Sequence, residues 1–326
     1  MKNLKLFFTS ALTLLLLTLL FISCGKSTTD ANGCYYDIDV AVEAANKKNQ
    51  DIMVIFTLDE DDEDSTDFLN KVVRDPGFKK EIASKYAVVV MDFSSKTYQA
   101  AVAPEDASDA VKKAADEKAE IMKKNAKYGT MLEVSQIPVI YIFSKELYLI
   151  KGLFYDDQNR TLQGFKDALA EKSSVIDDMH KMIYQTKIGT AEEKVAAIDK
   201  LYESTSPSFR IFLYDLMDSV SKLDPSDKSG LVGKYKYEAA SAKSDRALLE
   251  GDTRGAVQAF IDAADDPMIP AEDRQQALYT AAYMSSKAGL DDVSVVIGYL
   301  EKSIAIAPDS DQVPALRRVI AALSSQ

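Results

Sequence analysis

Ile137-Pro138-Val139-Ile140-Tyr141-Ile142-Phe143 is the stretch on which the reading of the fold turns. Its apolar residues follow one another without alternation, as in a strand buried on both faces. Downstream, Lys145-Glu146 turns the chain and Leu147 to Leu153 pairs back as a further strand. Upstream, Ile52-Met53-Val54-Ile55-Phe56 and Ala87-Val88-Val89-Val90-Met91 repeat the pattern. Helical segments separate these runs. Ile38, Ala41, Ala44 and Ala45 mark one helix face, and Phe68, Leu69, Val72 and Val73 a second. Asp75-Pro76-Gly77 then breaks the helix, and Phe78, Ile82 and Tyr86, four apart, predict another. Ser94 to Thr130 reads as an insertion carrying a solvated helix from Pro104 to Lys127, with Glu105 and Asp106 at its positive end. Leu162, Phe165 and Leu169 close the region with an amphipathic helix capped by Asn159 or Thr161. Helices on both sides of a small mixed sheet fit this α/β alternation.

After Lys172 the strand signals stop. Ile176, Met179 and Ile183, then Val195, Ile198 and Leu201, then Leu213, Leu216, Met217, Val220 and Leu223 fall at helical spacing. The chain of 326 residues therefore reads as two domains, 36–172 and the all-α 173–326. With 39 basic and 51 acidic residues its net charge is −12, which sets it against phosphate backbones, so no nucleic-acid partner is expected. One His cannot build a His-based metal cluster, and two Cys do not make a disulfide scaffold.

Several motifs resemble the thioredoxin family over about Tyr36 to Lys172. Phe56-Thr57 ends the first central strand. Asp75-Pro76-Gly77-Phe78 resembles the step after the active-site helix of thioredoxin-like interchange proteins. Val88 to Asp92 resembles their second strand, and Leu132-Glu133-Val134-Ser135-Gln136-Ile137-Pro138 the segment ending in their cis-proline. In the helical part, Gly251 to Ala263 followed by Pro267, and Ile297 to Ser303 followed by Pro308, resemble the second helix of a tetratricopeptide repeat. The copies lie 40 residues apart, Ala263 to Ser303, rather than the roughly 34 of that family. An irregular helical bundle is the alternative.

The thioredoxin resemblance implies two cysteines at the start of the first active-site helix, where the dipole favours a thiolate. Family spacing places them at Asp62 and Ser65, and no Cys occurs from Thr57 to Thr66. No catalytic residue and no cofactor are therefore expected. The resemblance also implies that Ile137-Pro138 faces this helix and that the backbone before the proline docks extended peptides through main-chain bonds. An architectural proline is the plainer reading. Asp59 to Asp67 carries seven carboxylates in nine residues. Asp59, Asp61 and Glu63 alternate as calcium ligands do, but the EF-hand pattern fails at its sixth and twelfth positions, and a solvated acidic loop explains the run equally well. No metal site is assigned. His180, the only His, reads as an ordinary surface residue.

The N-terminus reads as an address. Lys2 and Lys5 precede a largely apolar run from Leu6 to Ile22, then Ser23 and Cys24. Phe21-Ile22-Ser23-Cys24 resembles the bacterial lipobox, in which the Cys is lipidated and becomes the mature N-terminus. Phe21 departs from the usual Leu. On that reading 1–23 is a signal peptide and 24–35 a flexible tether. The loss of Lys2 and Lys5 takes the charge from −12 to −14, and Cys34 is the only free thiol, a half-buried residue of the tether. The expected protein is lipid-anchored in the cell envelope, its domains facing the periplasm. It is a redox-inactive scaffold for protein or peptide partners, not an enzyme. The alternatives are a thiol–disulfide oxidoreductase that recruits Cys34, and a calcium-binding structural lipoprotein. Anchoring should depend on Cys24: Cys24→Ala should leave the detergent phase on partitioning, and full retention there would contradict lipidation, since stable attachment requires more than one acyl chain.

Overall fold

The computed structural model describes residues 29–325, so Cys24 and the expected signal peptide lie outside the described residues. The chain forms two compact units. One runs up to Met122 and includes Ile137–Glu146 and Phe154–Phe165; the other takes Lys123–Gln136, Leu147–Leu153 and the chain from Lys166 onward.

The first unit opens with helix α1, Ile38–Lys48. The Asp37 side chain caps it by accepting from the Asp39 amide, and Asn49 ends it in the left-handed region. Strand β1, Asp51–Thr57, follows. Helix α2, Glu63–Phe68, runs into a π-helical turn at Leu69–Val73, which buries Phe68, Leu69, Val72 and Val73 together. Asp75-Pro76-Gly77 breaks the helix as expected. A Cβ on Gly77 would stand 2.9 Å from the tip of the Leu162 side chain, which would have to shift to admit it. The next helix, α3, is a single turn, Phe78–Glu81. The sequence had extended it to Tyr86. That residue instead begins strand β2, Tyr86–Asp92, because the apolar run after it is drawn into the sheet.

Helix α4, Ser95–Ala100, and helix α5, Asp109–Met131, make up the region expected as an insertion. Helix α5 starts at Asp109 rather than Pro104. Strands β3, Val139–Phe143, and β4, Leu149–Phe154, come next, then helix α6, Leu162–Glu171. Thr161 caps α6, accepting from the Gly164 amide at 3.1 Å. Asn159 turns inward, bonding the Asp156 amide and the Phe154 carbonyl.

The sheet order is β2-β1-β3-β4. Strand β1 runs parallel to β2, Asp51 opposite Tyr86 and Thr57 opposite Asp92. It runs antiparallel to β3, Ile52 opposite Phe143 and Phe56 opposite Val139. A parallel pair needs a crossover of a dozen or more residues, and the α2–α3 segment supplies it. Phe68 is fully buried and meets Tyr155 and Phe165 edge-on, with centroids 5.5 and 5.6 Å apart.

In the second unit the helices after α6 are α7 (Ser173–Gln185), α8 (Ala191–Ser204), a 3-10 segment (Pro207–Leu213), α9 (Tyr214–Leu223), α10 (Val232–Leu249), α11 (Thr253–Asp265), α12 (Ala271–Ala288), α13 (Val293–Ile306) and α14 (Val313–Ser324). From α7 to α14 each helix packs chiefly on its neighbours in sequence, a nearly one-dimensional arrangement. Thr190 and Glu193 form a capping box that starts α8 after the break at 186–190. Gly233 permits a close crossing, since a Cβ there would sit 2.5 Å from the Met268 carbonyl oxygen. Between α12 and α13, buried Gln275 donates to the carbonyls of Ser303 and Ala307, and the Ser303 hydroxyl donates back to the Gln275 carbonyl.

Phe68→Ala removes the ring shared by Tyr155 and Phe165. It should destabilise the first unit by about 3–5 kcal/mol, read as a lowered denaturant midpoint. A loss below about 1 kcal/mol would mean that this cluster does not organise the core.

Candidate functional site

The chain leaves β1 at Thr57 and enters the acidic loop. Asp92, the last residue of β2, gathers this end of the sheet. Its carboxylate accepts from the Thr57 hydroxyl at 3.3 Å, the Asp59 amide at 2.8 Å and the Ser94 hydroxyl at 2.6 Å, and also from the Thr97 hydroxyl. The loop is thereby tied to the segment that opens α4. Asp61 accepts from the Ser95 amide, which holds its carboxyl below the ordinary value. Glu60 pairs with Lys96 at 2.6 Å.

Asp59, Asp67 and Asp64 also meet donors. Asp59 pairs with Arg74 at 2.5 Å, while its second oxygen is buried without a partner. Asp67 meets Lys71 at 2.5 Å and accepts from the Tyr155 hydroxyl at 2.8 Å; these bonds hold its carboxyl low. Asp64 lies 3.9 Å from Arg160. Among the described residues no group of three or more His, Cys, Asp or Glu is placed to hold a metal ion.

Asp62 and Ser65 stand together at the start of α2. Asp62 is the N-cap, and its carboxylate accepts from the Ser65 amide at 2.7 Å. Ser65 is fully buried, and its hydroxyl accepts from the Leu58 amide at 3.1 Å. Both side chains are engaged in shaping the turn from β1 into α2. The Ile137–Pro138 bond is cis, with Ile137 half-buried and Pro138 buried immediately before β3. Asp62 lines a shallow depression over the loop together with Glu60, Asp61, Glu63, Asp67 and Asn70; neither Ile137 nor Pro138 lines it.

Cys34 is not the half-buried tether residue expected. It is wholly buried. Asp30 folds the preceding turn, accepting from the amides of Asn32 and Cys34 and from the Tyr36 hydroxyl. Tyr35 then forms a parallel bridge to Val89 alongside β2. Burial, aided by the Asp30 charge, pushes the Cys34 thiol far up. His180 lies half-buried on α7.

A second concavity, which the sequence did not reveal, lies in the helical unit. It measures about 630 Å³, within the roughly 300–1,000 Å³ of small-ligand sites. One wall is a face of α10: Glu238, Ser241, Ala242, Asp245, Leu248 and Leu249, at the offsets that share a helix face. The 3-10 segment adds Arg210 and Ile211, and the end of α5 adds Met131, with Glu133 just beyond it. Tyr202, nearly fully buried, forms another part of the lining, and the Arg210 guanidinium lies 4.0 Å over its ring. The legible signal was the mixed stripe on α10, where acids and small residues replace large apolar ones.

Among the described residues no helix is long and apolar enough to cross a membrane. Residues 231–326, taking in α10 to α14, match a family described as "Uncharacterised protein C-terminal domain". A curated relative, an "Uncharacterized protein" of Treponema pallidum (strain Nichols), is 28% identical over 140 residues, 42% of this chain and 45% of the relative. The chain thus spans less than half the length of that relative. A solved structure titled "DsbH Oxidoreductase" is similar over 46% of this chain and 91% of its own, at 14% identity and a TM-score of 0.33.

The thiolate is the reactive form of cysteine, and burial suppresses it. With Cys24 replaced by Ala, the folded chain should resist a disulfide-exchange reagent at neutral pH and react only once denatured. Prompt labelling of the native protein would contradict the burial of Cys34.

Proposed function

We propose that this chain is a lipid-anchored protein of the cell envelope in which a thioredoxin-like domain, 36–172, binds without redox chemistry beside a tetratricopeptide-like domain, 173–326. The observation that carries the reading is the pair Asp62 and Ser65 at the start of α2, each bonded into the turn, with no thiol in the loop. Disulfide exchange requires a thiolate to attack a disulfide sulfur and form a mixed disulfide, which a second thiol then resolves. A carboxylate and a buried hydroxyl supply neither group. The acidic loop would also raise the pKa of a visiting thiol.

The topology supports the thioredoxin-like part of the reading. A β-α-β unit with parallel β1 and β2 precedes β3, which runs antiparallel to β1, and the acidic loop joins β1 to α2. Peptide docking rests on the resemblance of Leu132 to Pro138, and it uses backbone groups that survive the loss of the cysteines. For the helical part, Ala256, Ala259 and Ala263 on α11 and Ser303 on α13 are buried, as small residues at repeat crossings should be. The chain on this reading is a scaffold for protein or peptide partners, with the membrane reached through lipid on Cys24.

Two measurements test it. Insulin reduction by the protein should remain at background, and extended peptides should shift backbone amide signals around Ile137. Turnover that disappears in Cys34→Ser would overturn the redox-inactive reading, and unperturbed amides at Ile137 would remove the docking role.

A further inference from the structure

The concavity of the helical unit carries three carboxylates, Glu133, Glu238 and Asp245, and one guanidinium, Arg210. The guanidinium is already engaged. Its Nε donates to the Thr205 carbonyl at 3.2 Å, one terminal nitrogen to the Tyr202 hydroxyl at 3.2 Å, and the other lies 3.5 Å from Glu203. Glu238 is engaged too, by the Tyr202 hydroxyl. Burial and this contact with Glu238 push the Tyr202 phenol up, so it stays a neutral donor.

The remaining two acids differ. Neither Asp245 nor Glu133 has an ion pair or side-chain hydrogen bond among the described residues. Glu133 keeps its place on the wall with φ at +50°, a region that non-glycine residues seldom occupy. Asp245 is solvent-exposed, yet the adjoining walls displace part of its hydration and shift its carboxyl above the ordinary value, with no charged neighbour contributing. Beside them lie Met131, Ile211, Met217, Leu248 and Leu249, which offer an apolar surface. An anion entering here would meet unpaired carboxylates, and a neutral apolar molecule would desolvate them further without compensation.

We propose that this cavity binds an organic cation with an apolar stem, an alkylammonium or guanidinium whose charge is met by Asp245 and Glu133 and whose stem lies along Met131, Ile211 and Leu248. The cation would restore the interaction that Asp245 lost with water, through a charge-assisted hydrogen bond. A free amine and the basic side chain of a peptide share this chemistry. Glu133 belongs to the Leu132–Pro138 segment, but cation binding rests on the cavity lining and uses no peptide docking at Ile137.

Calorimetric titration of the full chain tests the assignment with four probes: hexylamine, the blocked peptide acetyl-Gly-Lys-Gly-amide, hexanol and hexanoate. At least one of the two cationic probes should bind with Kd on the order of 1 mM, with hexanol and hexanoate at least tenfold weaker or silent. Binding of hexylamine points to a free amine, and binding of the peptide alone to a basic side chain. Asp245→Asn should weaken the cationic probe about tenfold, and Leu248→Ser should weaken the same probe by removing part of the apolar surface under its stem. Both positions are solvent-exposed, so unchanged circular-dichroism melting is expected and verifies the fold. The proposal is overturned if neither cationic probe binds, if hexanoate or hexanol binds as tightly, or if Asp245→Asn retains full affinity.

Discussion

Strand β1 is paired on both edges, to β2 and to β3, and every side chain from Ile52 to Thr57 is buried. That double constraint dictates much of the first unit. Both faces of the strand have to be covered, so the chain places helices before and after it. The parallel partner requires a crossover, which is why the α2–α3 segment lies between β1 and β2. A polar residue in the middle of β1 would have its backbone satisfied and its side chain stranded. The run from Ile52 to Phe56 contains none.

The same constraint fixes where polarity returns. Thr57 is the first polar side chain of β1 to be buried, and its hydroxyl finds Asp92, its register partner on β2. Asp92 accepts four hydrogen bonds and so joins the sheet end to the acidic loop and to the beginning of α4. The loop's carboxylates then spread over Arg74, Lys96, Lys71, Arg160 and backbone amides. Most of these pairs are exposed, so each adds little stability alone. Their effect is conformational: the loop has one set of partners, and Asp62 and Ser65 are held at the start of α2 by it.

The strands were legible because continuous apolar runs admit few other readings. The run after Pro138 and the run before Thr57 both formed strands of the sheet. The turn at Asp75-Pro76-Gly77 was legible because proline and glycine act locally. Helix ends were not. Tyr86 looked like the third rung of a helical ladder, but its spacing also suits the first residue of a strand, and the sheet took it. Asn159 and Thr161 were equivalent as caps by residue type, and only the inward turn of Asn159 separated them. Cys34 was hidden because its burial accompanies the Asp30 turn and the bridge of Tyr35 to Val89, a long-range pairing with no periodic trace. The cavity of the helical unit was hidden for a related reason. Its walls come from α5, α8, the 3-10 segment, α9 and α10, and only the α10 stripe is contiguous enough to be read.

Excess acid in a chain of net charge −12 therefore has two different structural meanings. In the loop after β1, high local density is matched by donors that the fold brings within bonding distance, and the carboxyls of Asp61 and Asp67 fall below their ordinary values as a result. In the helical concavity the density is lower, but Asp245 rises instead, because walls approach it without supplying a donor. The direction of the shift separates the two cases. A carboxylate drawn down is already serving the fold, and removing it loosens a local turn. A carboxylate pushed up at the edge of an apolar concavity has lost part of its hydration without gaining a donor. Counting acids along the sequence draws attention to Asp59–Asp67, where most of the carboxylates meet donors. Asp245, a single acid in a stripe of small and apolar residues on α10, draws none, yet it lines the cavity.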